Sequence, residues 1–294
     1  MPEHVDFRDQ ISRNKLKSFF LMLSILVVII ALGYAISFAF SPSYFFLIMI
    51  IAIMFSIFYV MINYYNSDRI ALTSVGAKPA DKERDGQFYS LVESLTIASG
   101  LPMPKLYVMD SRQINAFASG RDPAHAVVCV TRGALDNLEK RELEGVLAHE
   151  LSHVANYDIR YMTFAAVMVG IIAIISEIFL RSFWLRGGDN DRSKGVFIII
   201  GIVLAIIAPI VVGLVQLAIS RKREYTADAS AVKFTRYPNG LIGALEKIKN
   251  QEDSAKNEKR VSRAIAPLFF TSPLKNLAST HPPLEKRIAL LKKM

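Results

Sequence analysis

Ser18 to Ser67 contains no charged residue, and this fifty-residue silence constrains the fold more than any other feature. A helix needs about 20 mostly apolar residues to cross a bilayer, so the run is long enough for two spans. Ser41-Pro42-Ser43 supplies a turn between them. Charge is also missing from Tyr161 to Ser176 and from Gly195 to Ser220, with Glu177 near the end of the third run and Pro209 inside the fourth. Four spans are therefore expected, at roughly 18–40, 44–65, 161–183 and 196–220. Buried helices of a soluble domain are the alternative for the last two. The first run follows a polar segment of 17 residues, lacks a small-residue cleavage site and continues into a second apolar stretch. It is expected to stay as an anchor, not to be removed as a signal peptide.

Composition agrees, since 52% of the residues are hydrophobic. The net charge of +9 would suit a nucleic-acid binder, but the basic residues gather at the span ends. Arg13, Lys15, Lys17, Arg69, Arg160 and Arg221 to Arg223 fit a face turned toward anionic lipid, so a bilayer and no nucleic acid is the expected partner. Arg181, Arg186, Arg192 and Lys194 lie between the last two runs, so charge alone does not fix the orientation. A single cysteine, Cys129, excludes an internal disulfide.

Two polar regions remain, 66–160 and 221–294. In the first, Phe88, Leu91, Val92, Leu95 and Ala98 recur at helical spacing, with Gly100 and Pro102 ending the helix. Lys105 to Met109 reads as a strand, and Asn115 to Thr131 as two strands joined by a turn. Asp136 with Glu139 three residues on suggests a capping box opening the next helix. In the second region a helix runs from Arg221 to about Asn250 with a break near Tyr237 to Gly240. Residues 250–263 read as a polar loop and Ile265 to Leu274 as an apolar one. The chain closes on a short amphipathic helix carrying Leu284, Ile288 and Leu291.

The helix after Asp136 contains His149, Glu150 and His153 in the order His-Glu-x-x-His. Positions i and i+4 share a helix face, so both imidazoles can reach one tetrahedral zinc ion. Glu150 then projects beside the ion, where a carboxylate can accept a proton from water. A third ligand is needed, and His4, His125 and His281 are available besides the carboxylates. Glu224 is the best placed, on a helix just past the fourth apolar run. It reads equally well as a partner of Arg221 or a lipid-facing charge. Asp228, one turn on, could accept the second ring N–H of a ligand histidine and fix its tautomer. Glu224 can meet the histidines only from the same side of the membrane, so an even number of spans must separate them, and 161–220 supplies two.

Taken together, HELSHVAN, SRKREYTADASA, NAFASG and THPPLEKRI resemble the HtpX-type membrane metalloproteases, gluzincins related to the CAAX prenyl proteases. The resemblance implies an α+β membrane protein, with four transmembrane helices and a mainly helical zincin-like cytoplasmic domain holding a small β-sheet. Its organisation would be 1–17 as a cytoplasmic N-terminus, 18–65 and 161–220 as transmembrane hairpins, and 66–160 and 221–294 as two parts of one catalytic domain. It implies one zinc ion per chain on His149, His153 and Glu224, with Glu150 as base and Asp228 behind a ligand histidine. It also implies substrate contact at Asn115, on an edge strand where an extended peptide adds, and oxyanion stabilisation by His281. The implied activity is endopeptidase cleavage of misfolded or damaged membrane proteins at the cytoplasmic face of the bacterial inner membrane. A processing protease with defined substrates, or a silent scaffold braced by zinc, are the competing expectations.

Overall fold

The computed structural model describes residues 7–39, 44–163, 221–254, 269–270 and 282–294. The third expected span beyond residue 163 and all of the fourth lie outside the described residues, as does His281.

Two long helices open the chain, α1 (Phe7–Ala39) and α2 (Phe45–Tyr65). Both are long and apolar enough to cross a membrane. They pack against each other through small residues, since a Cβ on Gly33 would fall 2.3 Å from Ala52 Cβ. Away from that seam Phe19, Phe20, Phe46, Met54 and Phe58 are exposed. Water would penalise such a surface, whereas lipid covers it without cost. The chain is thus membrane-associated. One boundary differs from expectation: α1 starts at Phe7, so its polar first turns continue the apolar helix.

After α3 (Ser67–Ser74) come β1 (Lys78–Pro79), α4 (Gly86–Ser99), β2 (Lys105–Met109), β3 (Ala116–Gly120) and β4 (Ala126–Thr131). The sheet order is β1-β2-β4-β3, with β2 parallel to β4 and β3 antiparallel to it. Every residue of β4 is buried. Successive strand residues face opposite ways, so Val128 and Val130 enter the main core, while Val127 and Cys129 enter a smaller one with Phe117 and Met162. A strand covered on both faces reads as a continuous apolar run, as Ala126 to Val130 does. Gly100 ends α4 with φ of 72°, which a residue with a Cβ adopts only under strain.

Next are α5 (Arg132–Asn137) and α6 (Lys140–Ala155). The expected cap at Asp136 is displaced. Thr131 caps α5 through its side chain, Asp136 falls inside that helix, and Leu138 breaks the chain in an extended conformation. The capping box of α6 is Glu139 with Glu142, whose carboxylate accepts from the Glu139 N–H at 2.7 Å. The second region contributes α7 (Arg221–Thr235), α8 (Pro238–Ser254) and α9 (Leu284–Leu291). The break between α7 and α8 falls at Arg236, with φ of 51°, and Pro238 opens α8. Residues 251–254, expected in a loop, are helical.

Helix α6 lies between α4, α7 and α8, and two glycines set how closely α8 approaches it. A Cβ at Gly145 would sit 2.6 Å from the Leu241 nitrogen, and one at Gly240 2.2 Å from the Arg141 carbonyl oxygen. Both obstacles are backbone. Gly145→Ala is therefore expected to cost about 1–3 kcal/mol by overpacking, read as a lower thermal midpoint of the full-length protein in detergent.

Candidate metal centre

Helix α6 is buried from Val146 to Val154, and its one-turn spacing puts His149 and His153 side by side. Their Nε2 atoms are 3.2 Å apart. Helix α7, from the other part of the sequence, brings Glu224 against both: Oε2 is 3.5 Å from His149 Nε2 and Oε1 3.6 Å from His153 Nε2. One atom from each of the three lies within 4.8 Å of the others, and all three residues are buried.

The remaining ring nitrogens are committed. His149 Nδ1 lies 2.9 Å from Asp228 Oδ1, and His153 Nδ1 lies 3.1 Å from Asp158 Oδ2. A carboxylate can only accept, so each Nδ1 carries a proton and each Nε2 faces inward, where it offers a lone pair once its ring is neutral. Two neutral rings at that separation, with a carboxylate beside them, repel unless a positive charge, a proton or a metal ion, lies between them. Ligand atoms about 2.05 Å from a tetrahedral ion would stand about 3.3 Å apart, close to the imidazole spacing here. The donor set therefore fits a divalent metal.

Charges around the pair tune it. Burial opposes a charged His153, but the Asp158 hydrogen bond and the Glu224, Asp158 and Glu150 charges outweigh it and carry the ring up to about 9. A metal entering at neutral pH therefore displaces a proton. Burial also pushes the Asp228 carboxyl up, yet the Arg287 guanidinium and His149 outweigh it and hold it below the usual range. Glu150 moves the other way, because burial raises it more than the two histidines lower it. Its Oε1 is buried with no hydrogen-bond partner among the described residues, and its carboxylate accepts from the Ala118 backbone.

Sequence reasoning missed two of these neighbours. Asp158 follows His153 by five residues, and Tyr157, with φ of 59°, makes the turn that folds it back. Arg287, in α9, is fully buried and grips Asp228 with Nε on Oδ2 at 2.9 Å and Nη2 on Oδ1 at 2.6 Å. Its position between Leu284, Ile288 and Leu291 on the apolar face of α9 was the available signal. The structure brings His149, Glu150, His153, Glu224 and Asp228 together. Asn115 immediately precedes β3, the sheet edge, and is buried, its Oδ1 accepting from the Ala116 N–H at 3.0 Å. The Ala116 carbonyl accepts from Phe270 N–H at 2.8 Å, and Phe117 bridges Phe269. The Phe270 ring also stands 4.8 Å from the His149 ring, edge to face. Cys129 is buried, which pushes its thiol up and leaves it inert. His125 is half-exposed and pairs with Asp122.

Residues 82–294 match the profile of peptidase family M48. The chain belongs to that family. It is 43% identical over 295 residues to a protease HtpX homolog of Dictyoglomus thermophilum, covering 98% of this chain and 95% of that one. A protease HtpX homolog of Caldanaerobacter subterraneus subsp. tengcongensis is 46% identical over 249 residues, 82% of each chain. Among solved structures, S. mikatae Ste24p shares the fold with a TM-score of 0.52 at 20% identity, across 95% of this chain and 65% of that chain. This M48 member is thus an HtpX-type membrane metalloprotease, and polypeptides are its substrates.

Proposed function

We propose that the chain is a zinc endopeptidase in which His149, His153 and Glu224 hold the metal and Glu150 is the general base. The observation that carries this reading is the convergence of one carboxylate from α7 on the two inward lone pairs of α6. A metal bound there polarises a peptide carbonyl and makes water more acidic. Glu150 takes the proton of the attacking water and passes it to the leaving nitrogen. Its Oε1, which has no hydrogen-bond partner among the described residues, is free to do so. Asp228 and Asp158 keep both rings in the required tautomer. By resemblance, His281 is assigned to the oxyanion and Asn115 to the substrate.

The edge of β3 supports an account of how substrate enters. Ala116 gives its N–H to Asn115 and its carbonyl to Phe270, while Ala118 gives its N–H to Glu150. An extended peptide adding to this edge needs the Ala116 carbonyl that Phe270 occupies, so it displaces Phe269 and Phe270. Hydrogen exchange on the Glu150→Gln variant is expected to show the Phe270 amide losing protection when unfolded substrate is added. Unchanged protection at saturating substrate would refute the displacement.

Backbone pairing places weak demands on sequence, so broad selectivity follows. In our reading residues 66–160 and 221–294 form one catalytic domain on the cytoplasmic face of a bacterial inner membrane. They are separated by a hairpin of two spans at 161–220, and the substrates are misfolded or damaged membrane proteins. The packing of α6 against α7 supports the even number of spans alone, because both ends of the 161–220 segment must emerge on one side. The purified protein in detergent is expected to cut an unfolded polypeptide, to stop on chelation and to resume with added zinc. Unaltered cleavage after chelation would defeat the proposal.

A further inference from the structure

We infer that Asn14, in the first turns of membrane helix α1, is a positioning residue for the metal centre, acting through Asp158 on His153. The inference rests on the metal-site reading above.

Asn14 is 2% exposed and Asp158 is fully buried. The Asn14 side-chain nitrogen has two protons and spends both on the turn that ends α6. One goes to the Asn156 carbonyl at 2.9 Å, the other to Asp158 Oδ1 at 2.8 Å. The opposite carboxylate oxygen, Oδ2, takes the His153 Nδ1–H. Asp158 is thus held at one oxygen by the membrane helix and holds the imidazole with the other. The ring cannot turn about its own axis without moving a carboxylate that α1 has fixed. Among the described residues Arg223 places its Nη1 3.7 Å from Oδ1, too long for a hydrogen bond, so at Asp158 it offers charge without direction.

The contact belongs to a built junction. One residue on, the Lys15 ammonium lies 4.4 Å from the centre of the Tyr157 ring. One turn on, buried Ser18 donates to the Asn14 carbonyl at 2.8 Å. The first helix therefore does more than anchor the protease. It completes the support of one metal ligand, as Arg287 in α9 completes the support of the other through Asp228. Removing partners that orient a ligand histidine typically weakens metal binding 10–100-fold.

The test measures zinc dissociation constants by chelator competition on full-length protein in detergent. Asn14→Leu removes both donors at similar volume, and Asn14→Asp turns a carboxylate toward Asp158. Each is expected to weaken zinc binding at least 10-fold. Lys15→Ala disturbs the same junction without touching Asp158 and is expected to bind as wild type does. If Leu or Asp at position 14 yields no folded protein, Asn14→Ala carries the same expectation. Wild-type affinity in the position-14 variants would overturn the inference. Equal weakening by Lys15→Ala would also overturn it, since the junction would then act only on stability. A wild-type protein that binds no zinc would instead bring down the metal-site reading itself.

Discussion

Glu150→Gln is expected to lower cleavage of an unfolded polypeptide by about a thousandfold, within the span of general acid–base catalysis, while leaving the metal bound. The amide keeps the size of the carboxylate and can still sit beside the Ala118 backbone, but it cannot accept a proton at neutral pH. Glu150 is also outside the ligand set, since the inward atoms are the two Nε2 and the Glu224 carboxylate. Activity and metal content therefore separate in this variant. Loss of both together would mean that Glu150 is a ligand or a structural group. Retention of both would leave a zinc-braced scaffold as the better account.

Arg287→Met is expected to act on stability and metal binding at once. The guanidinium is fully buried, forks onto both oxygens of Asp228 and stacks 4.7 Å from the Phe270 ring centre. Around His149 lie three buried carboxylates, Glu150, Glu224 and Asp228, which one guanidinium and a dipositive ion would balance. Without Arg287 a buried charge is left over. Breaking a buried pair from one side costs about 3–5 kcal/mol, so the thermal midpoint should fall and the metal should be held less tightly. Arg287→Lys restores the charge but cannot make the two parallel bonds, and a partial loss is expected. A methionine variant as stable and as active as wild type would show that Asp228 needs no such partner.

The His149–His153 pair was legible because helix period and metal geometry impose the same spacing. Glu224 was harder, since its residue type and position fit a surface ion pair equally well. Only the folding of α7 onto α6, a contact between distant parts of the chain, brings its carboxylate to the two imidazoles. The strands were legible from turn chemistry and from the continuous apolar run of β4. The cap of α6 was not, because Asp136 and Glu139 copy the spacing of the true pair Glu139 and Glu142, and only the break at Leu138 distinguishes them. Asp158 was hidden by a left-handed turn at Tyr157, a conformation that residue type does not announce. Asn14 gives no local signal at all, for its partners lie 142 and 144 residues away. Pairing of Phe269 and Phe270 with the sheet edge is likewise a tertiary fact.

Metal content per chain, measured by elemental analysis of wild-type protein beside Glu224→Gln, tests the central claim most directly. One zinc equivalent is expected for wild type and a small fraction of that for the variant, because the amide brings no charge to the two imidazoles from α6. A full equivalent retained by Glu224→Gln would contradict the account, as would wild-type protein that binds no metal and still cleaves its substrate.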